Sequence, residues 1–209
     1  MSKNTTPTEL VMDNVTPADA ITDTTTDAEA NIATDTTKHT SLTCSDDDIK
    51  FMQRAYQLAE LAEQHNEIPV GAVVVYQGEI IGEGYNQSIM HNDPSAHAEM
   101  IAIRAAGEHL NNYRLIDCTL YVTLEPCPMC AGLLVHSRIK KLVYGCDDLK
   151  TGAAGSVINL IDDERFNHQI ELVKVDEQYA TKCSQLLSNF FKRRRKEKKQ
   201  LKKSLKQAK

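Results

Sequence analysis

Thr119-Leu120-Tyr121-Val122-Thr123-Leu124-Glu125-Pro126-Cys127-Pro128-Met129-Cys130 runs on through Ala131-Gly132-Leu133-Leu134-Val135-His136-Ser137, and three residues later comes Lys141-Leu142-Val143-Tyr144-Gly145. Thr119 to Leu124 is rich in β-branched and aromatic residues and reads as a strand; about Pro126 to Ser137 reads as a helix, and Lys141 to Gly145 as a second short strand. Working outward, Pro69 to Tyr76 reads as a buried strand, Gln77-Gly78 as a turn and Glu79 to Tyr85 as the hairpin partner. His91 to Ser95 is a loop leading into a helix from about His97 to Leu110. Ahead of these, Asp46-Asp47-Asp48 supply N-terminal charge to a helix carrying Ile49, Met52, Ala55, Tyr56 and Ala59 at helical spacing. Downstream, a Gly/Ala loop at 151–155 and a strand near Ile170 to Val175 precede a long last helix. The alternation predicts an α/β fold, one mixed sheet with helices on both faces. Two helices, at His97 and Cys127, open directly after strand-end loops, where ligands of open α/β sheets gather.

The 209 residues suit one domain with tails, and the formal charge of −5 hides an asymmetry. Residues 1–48 carry ten Asp/Glu against two Lys/Arg, whereas residues 192–209 carry eleven Lys/Arg against one Glu. A basic end on an acidic body points to a polyanionic partner. Residues 1–45, with thirteen Thr and no apolar periodicity, are expected to be a disordered tail, too poor in apolar surface to offset the entropy of ordering. The expected organisation is therefore tail 1–45, domain 46–195 and basic tail 196–209. Of the six cysteines only Cys127 and Cys130 are close, which fits a reduced thiol inventory better than a disulfide framework. With no apolar run long enough for a membrane helix and no signal-peptide pattern, a soluble, cytoplasmic chain is expected, without membrane contact. The 151–155 loop lacks a following Gly-Lys-Ser/Thr, so no nucleotide cofactor is expected.

The chemistry lies in His97-Ala98-Glu99 and Pro126-Cys127-Pro128-Met129-Cys130. Cysteines at i and i+3 share one side of a first helical turn, and a helix N-terminus favours the thiolate that binds metal. His97 makes a third ligand. Three protein ligands are one short of a closed structural zinc site and match the open pattern of catalytic zinc. Glu99, two residues on, is placed to move a proton between water and a departing amine. The order H-x-E, then P-C-x-x-C, is the signature of the zinc deaminases. A redox C-x-x-C pair and a structural zinc knuckle are the competing readings. The first lacks a thioredoxin-like surround, and the second lacks a fourth ligand, since His136 lies six residues beyond Cys130 on the same helix.

With these residues in view, the chain resembles the bacterial tRNA-specific adenosine deaminase family from about residue 49 to residue 195. Beyond the zinc motif the resemblance rests on Pro69 to Val73, Gly82 to Asn86, Asp93 to Glu99, Asn112 to Leu115 and Leu124 to Cys127. It continues through Cys130 to Gly132, His136 to Ile139, Lys150 to Ser156, Asn167-His168 and Phe190-Phe191. It implies a three-layer α/β/α cytidine-deaminase-like fold, a homodimer with one zinc ion per subunit, and a tRNA anticodon stem-loop as substrate. The implied reaction is hydrolytic deamination of the wobble adenosine to inosine, the base being flipped into the pocket. It further implies His97, Cys127 and Cys130 as zinc ligands, Glu99 as proton shuttle, Asn86 on the adenine, the Ala98 amide beside the attacking oxygen, and Asp148 and Lys150 in an RNA-contacting loop. The competing readings are a strand-end turn residue for Asn86, against which the substrate role is favoured, and a solvated loop carboxylate for Asp148. The chain departs from the pattern at Tyr85, Leu133 and Cys146, and between Val173 and Thr181, a stretch about two residues longer that lacks a glycine. The basic run from Lys192 could hold tRNA phosphates, end a solvated helix or resemble a nuclear import signal. Two rival functions stay open: a free nucleobase or nucleoside deaminase of guanine or cytosine type, and a non-catalytic zinc-containing RNA-binding partner subunit.

Overall fold

The computed structural model describes residues 44–207. The tail expected to be disordered, 1–45, lies outside the described residues except for Cys44 and Ser45, which lead into the first helix.

The elements are α1 (Asp46–Gln64), β1 (Gly71–Tyr76), β2 (Glu79–Tyr85), α2 (Ser88–His91), α3 (Ala98–Leu110), β3 (Thr119–Leu124), α4 (Pro128–Ser137), β4 (Lys141–Cys146), β5 (Glu171–Lys174) and α5 (Glu177–Gln207). They bear out the α/β expectation: a five-stranded mixed sheet in the order β2-β1-β3-β4-β5, antiparallel on its β2-β1-β3 side and parallel across β3-β4-β5. The hairpin turns on Gln77 and Gly78, both at positive φ (50° and 82°), the geometry that matches strand twist. The short helix α2 lies between the hairpin and the loop read over His91 to Ser95, in a stretch for which the sequence predicted no element.

Period-two alternation sends neighbouring strand residues into two cores. Ala72, Val74, Leu120, Val122 and Leu142 face α3 and α4, with Ala102, Ala106, Leu134 and Val135. Val73, Val75, Tyr121, Val143 and Val173 face the other way, against Phe51, Met52, Ala55 and Leu58 of α1 and Ala180 of α5. The result is three layers, helices on both sides of one sheet.

Asp48 is more than a favourable first-turn charge. It closes a capping box with Ser45, whose N–H and hydroxyl donate to it at 2.9 and 2.8 Å. Only 2% exposed, it also accepts from Tyr121 Oη of β3 at 2.8 Å and Lys141 Nζ of β4 at 3.0 Å. One carboxylate thus ties the start of α1 to two strands.

Candidate active site

α3 and α4 begin alike. His97 and Cys127 are their N-cap residues, both extended (φ −79°, ψ 154° and φ −73°, ψ 170°), and neither side chain caps its own helix. Ser, Thr, Asp or Asn would normally stand there and bond the first turn. These two side chains instead turn toward each other. His97 Nδ1 lies 3.6 Å from Cys127 Sγ and 3.6 Å from Cys130 Sγ. The three donor atoms all lie within 4.8 Å of one another. Tetrahedral zinc with ordinary Zn–N and Zn–S bonds would separate a nitrogen and a sulfur ligand by about 3.6 Å, so the donor set fits that ion in type and spacing.

Each donor is placed by the fold. Cys127 and Cys130 sit at the end of β3, the central strand, where the chain turns into α4. Proline at the first position of α4 costs nothing, because its N–H would have no helical partner. His97 is set by the packing of α3 on β2. Gly82 and Gly84 lie directly under the helix backbone, where a side chain would collide with the carbonyls of Ala102 and Ala98. The two thiols are shifted in opposite directions. The hydrogen bond with Cys130 and the contact with His97 hold Cys127 down to about 4 against the effect of burial. Cys130 is pushed up by the same shared bond and by burial. His97 is raised, first by its contact with Cys127.

Glu99, in the first turn of α3, is 4% exposed. Burial raises its carboxyl above the ordinary range, against its own backbone N–H and the charge of His97. His97, Glu99 and Cys127 line a cavity of about 620 Å³, together with Asn86, Asp148 and Lys150. Cys130 and Ala98 are fully buried. Six of the eight sequence-predicted site residues thus line one cavity, and Cys130 and Ala98 lie behind it in contact with His97 and Asn86.

Their individual settings differ. Asn86 Oδ1 accepts the Ala98 N–H at 2.9 Å, so that amide, expected beside an attacking oxygen, is engaged in orienting Asn86 at the cavity wall. Asp148 is occupied within its own loop: it accepts from the Lys150 and Thr151 N–H groups at 2.9 and 3.2 Å and from Thr151 Oγ1 at 2.6 Å. Lys150 is exposed at the cavity rim.

Sequence reasoning missed two buried carboxylates. Glu125, 2% exposed, accepts three backbone N–H groups of the loop that follows β4: Asp148 at 2.9 Å, Ala154 at 2.9 Å and Ser156 at 3.0 Å. Gly152 packs against that carboxylate with no room for a side chain. Ala153 N–H adds a bond to Pro126 O at 2.8 Å. The residues just before Cys127 therefore hold the rim loop. Glu67, 1% exposed, accepts from Ile89 and Met90 N–H at 3.2 and 2.6 Å and so anchors α2 beside Asn86. For Glu125 the available signal was an acidic residue at the end of an apolar strand, since a buried carboxylate needs donors; Glu67, after Gln64-His65-Asn66, gave none. α5 was missed as a wall: Ser184, Leu187, Ser188, Phe191 and Arg195 form part of the cavity lining. The helix starts cleanly despite the altered stretch before it, Asp176 accepting the Tyr179 N–H at 2.9 Å.

Residues 45–146 match the family model of the cytidine and deoxycytidylate deaminase zinc-binding region. A tRNA-specific adenosine deaminase of Haemophilus influenzae is 54% identical over 156 residues, covering 74% of this chain and 89% of that protein. One of Bacillus subtilis is 46% identical over 157 residues, covering 74% and 95%. Among solved structures, one from a study of A-to-I editing by tRNA:A34 deaminases at the wobble position of transfer RNA superposes with a TM-score of 0.63 at 36% identity. It covers 66% of this chain and 99% of the other.

Proposed function

The chain belongs to the tRNA-specific adenosine deaminases, within the cytidine and deoxycytidylate deaminase family, and from this we infer that it hydrolyses the wobble adenosine of a tRNA anticodon to inosine. The observation that carries the chemistry is the grouping of three metal donors, two of which line one cavity together with a buried glutamate.

His97, Cys127 and Cys130 would hold zinc, which when bound acts as a Lewis acid that makes water a nucleophile at neutral pH. The rest falls to the chain's own groups. Glu99 carries one proton from the attacking water to the purine N1 and then the proton of the new hydroxyl to the departing amine, so that ammonia leaves and the carbonyl of inosine remains. Burial keeps this carboxyl away from bulk water. Asn86, fixed through Oδ1 by Ala98, has its Nδ2 left to donate to the purine. Asp148 acts by shaping its loop, and Lys150 reaches substrate phosphate from the rim. A base in a single-stranded loop is partly unstacked already and costs less to flip into such a pocket.

The active unit spans residues 46–195, flanked by 1–45 and 196–209. We assign it to the cytoplasm, in keeping with six cysteines that are all unpaired. Among the described residues no helix is long and apolar enough to cross a membrane. The working form is a homodimer. The reading is supported by an open groove of about 830 Å³ along α3 and α4, lined by Ile103, Leu133 and the largely exposed Tyr113. Light scattering should give twice the chain mass.

The test of substrate is a panel: an anticodon stem-loop with adenosine at the wobble position, the same stem-loop with that adenosine moved, and free adenosine, guanine and cytidine. Inosine from the first alone is expected. Ammonia released from a free base, with the stem-loop untouched, would overturn the assignment.

A further inference from the structure

α5 does not end where the cavity ends. Phe190 is its last buried residue, and from Lys192 to Lys206 every residue is exposed. From Lys192 to Lys206 the helix carries ten Lys and Arg against the single Glu197, and beyond Arg195, which still lines the cavity, it runs on for roughly three turns. These charges are not equivalent. Arg193 is committed to Glu63 at 2.7 Å, which pins α5 to α1, and Arg194 pairs with Glu197 at 3.4 Å.

At 100° per residue, positions 184, 188, 191, 195, 199, 202 and 206 fall on one face. The first four are Ser184, Ser188, Phe191 and Arg195, all of which line the active-site cavity. The last three are Lys199, Lys202 and Lys206. The helix face that forms the cavity wall thus continues beyond it as a row of lysines. From Arg195 to Lys206 the row spans about 16 Å. Leu201 and Leu205 lie on the flank and are the only large apolar residues of the projecting part, too few to form a membrane-seeking face.

We propose that the stripe Lys199, Lys202 and Lys206 is an arm that binds the sugar-phosphate backbone of the substrate RNA outside the loop being edited, holding the stem while the loop base occupies the cavity. This rests on the tRNA reading above for the identity of the RNA. Contact with phosphates is independent of sequence, and lysine suits it as a flexible point charge. The juxtaposition with Arg195 gives the arm its direction, because RNA leaving the cavity along α5 meets this face first.

The test compares two variants of equal charge. One is K199Q/K202Q/K206Q, on the stripe; the other is R194Q/K196Q/K203Q, off it. Glutamine keeps helix propensity, which circular dichroism checks. Binding of a labelled anticodon stem-loop is read by fluorescence anisotropy across a salt series, and turnover is read separately as inosine. The stripe variant should bind about tenfold more weakly and lose about 2 from the slope of log affinity against log salt, with KM raised and kcat unchanged. The off-stripe variant should lose less than half of each effect. Equal losses in both variants would reduce the arm to diffuse charge and overturn the proposal. So would unchanged binding in the stripe variant, or loss from it of binding to phosphatidylserine vesicles while RNA affinity stays parental. If the parent makes no inosine yet shows the stripe-dependent binding, the functional reading fails and the arm stands.

Discussion

Replacing Glu125 should disconnect the cavity rim from the metal-binding turn. Its Oε1 takes the N–H groups of Ala154 and Ser156, its Oε2 that of Asp148, and the carboxyl group is 2% exposed. In Glu125→Gln one oxygen becomes an amide NH₂, which faces at least one backbone N–H as donor against donor. A buried donor left without an acceptor costs about 1–3 kcal/mol, so the glutamine variant should lose about 2 kcal/mol. Glu125→Ala frees all three donors, but water entering from the adjoining cavity would replace part of the loss, which sets the expectation at about 3 kcal/mol. Urea unfolding of the zinc-loaded protein measures both. Because the groups released belong to the loop bearing Asp148 and Lys150, while His97, Cys127 and Cys130 keep their places, zinc content should stay parental and KM for the stem-loop should rise more than kcat falls. A glutamine variant within about 0.5 kcal/mol of the parent, with unchanged KM, would refute the reasoning.

Asp48→Asn should destabilise the protein by about 2 kcal/mol at pH 7, through loss of charge-assisted bonds from Ser45, Tyr121 and Lys141. Burial raises the Asp48 carboxyl, but those hydrogen bonds outweigh it and leave it below the usual range. Its contribution is therefore complete above the unfolded value of about 4 and is lost as pH falls through the depressed folded value, so thermal midpoints of parent and variant should converge below pH 4. Cys130→Ser should reduce zinc to well under one ion per chain by elemental analysis, since two donors cannot hold the ion that three fit. Asn86→Ala should cut kcat/KM on the stem-loop by about tenfold or more with zinc retained, while also releasing the Ala98 N–H at the start of α3. Gly84→Val should abolish folding or expression, because its side chain would meet the backbone of α3.

Much of this was legible in the residues because local rules and tertiary structure agree. The β3–α4–β4 unit follows from an apolar β-branched run, a proline at a helix start and a second apolar run. The metal set follows from i, i+3 cysteines at one helix start and a histidine at another. Long-range partners of polar groups were not legible. Asp48 looks like first-turn charge until β3 and β4 bring Tyr121 and Lys141 to it, and Glu125 looks like an ordinary residue before the Pro-Cys turn until the loop after β4 folds over it. Asp148 reads as a substrate or solvent group from sequence, whereas most of its bonding capacity serves the loop. The role of α5 depends on where the helix passes. Ser184 and Phe191 carry no catalytic signal in sequence, and only the packing of α5 beside the sheet makes them walls of the cavity.

The most direct measurement is single-turnover formation of inosine in a wobble-adenosine anticodon stem-loop by the parent and by Glu99→Ala, with zinc content and stem-loop affinity determined on the same preparations. The variant should keep parental zinc and near-parental affinity, with inosine formation reduced by about 100-fold or more. A variant that holds its zinc, binds the stem-loop and still makes inosine at the parental rate would contradict the assignment of Glu99 as proton shuttle.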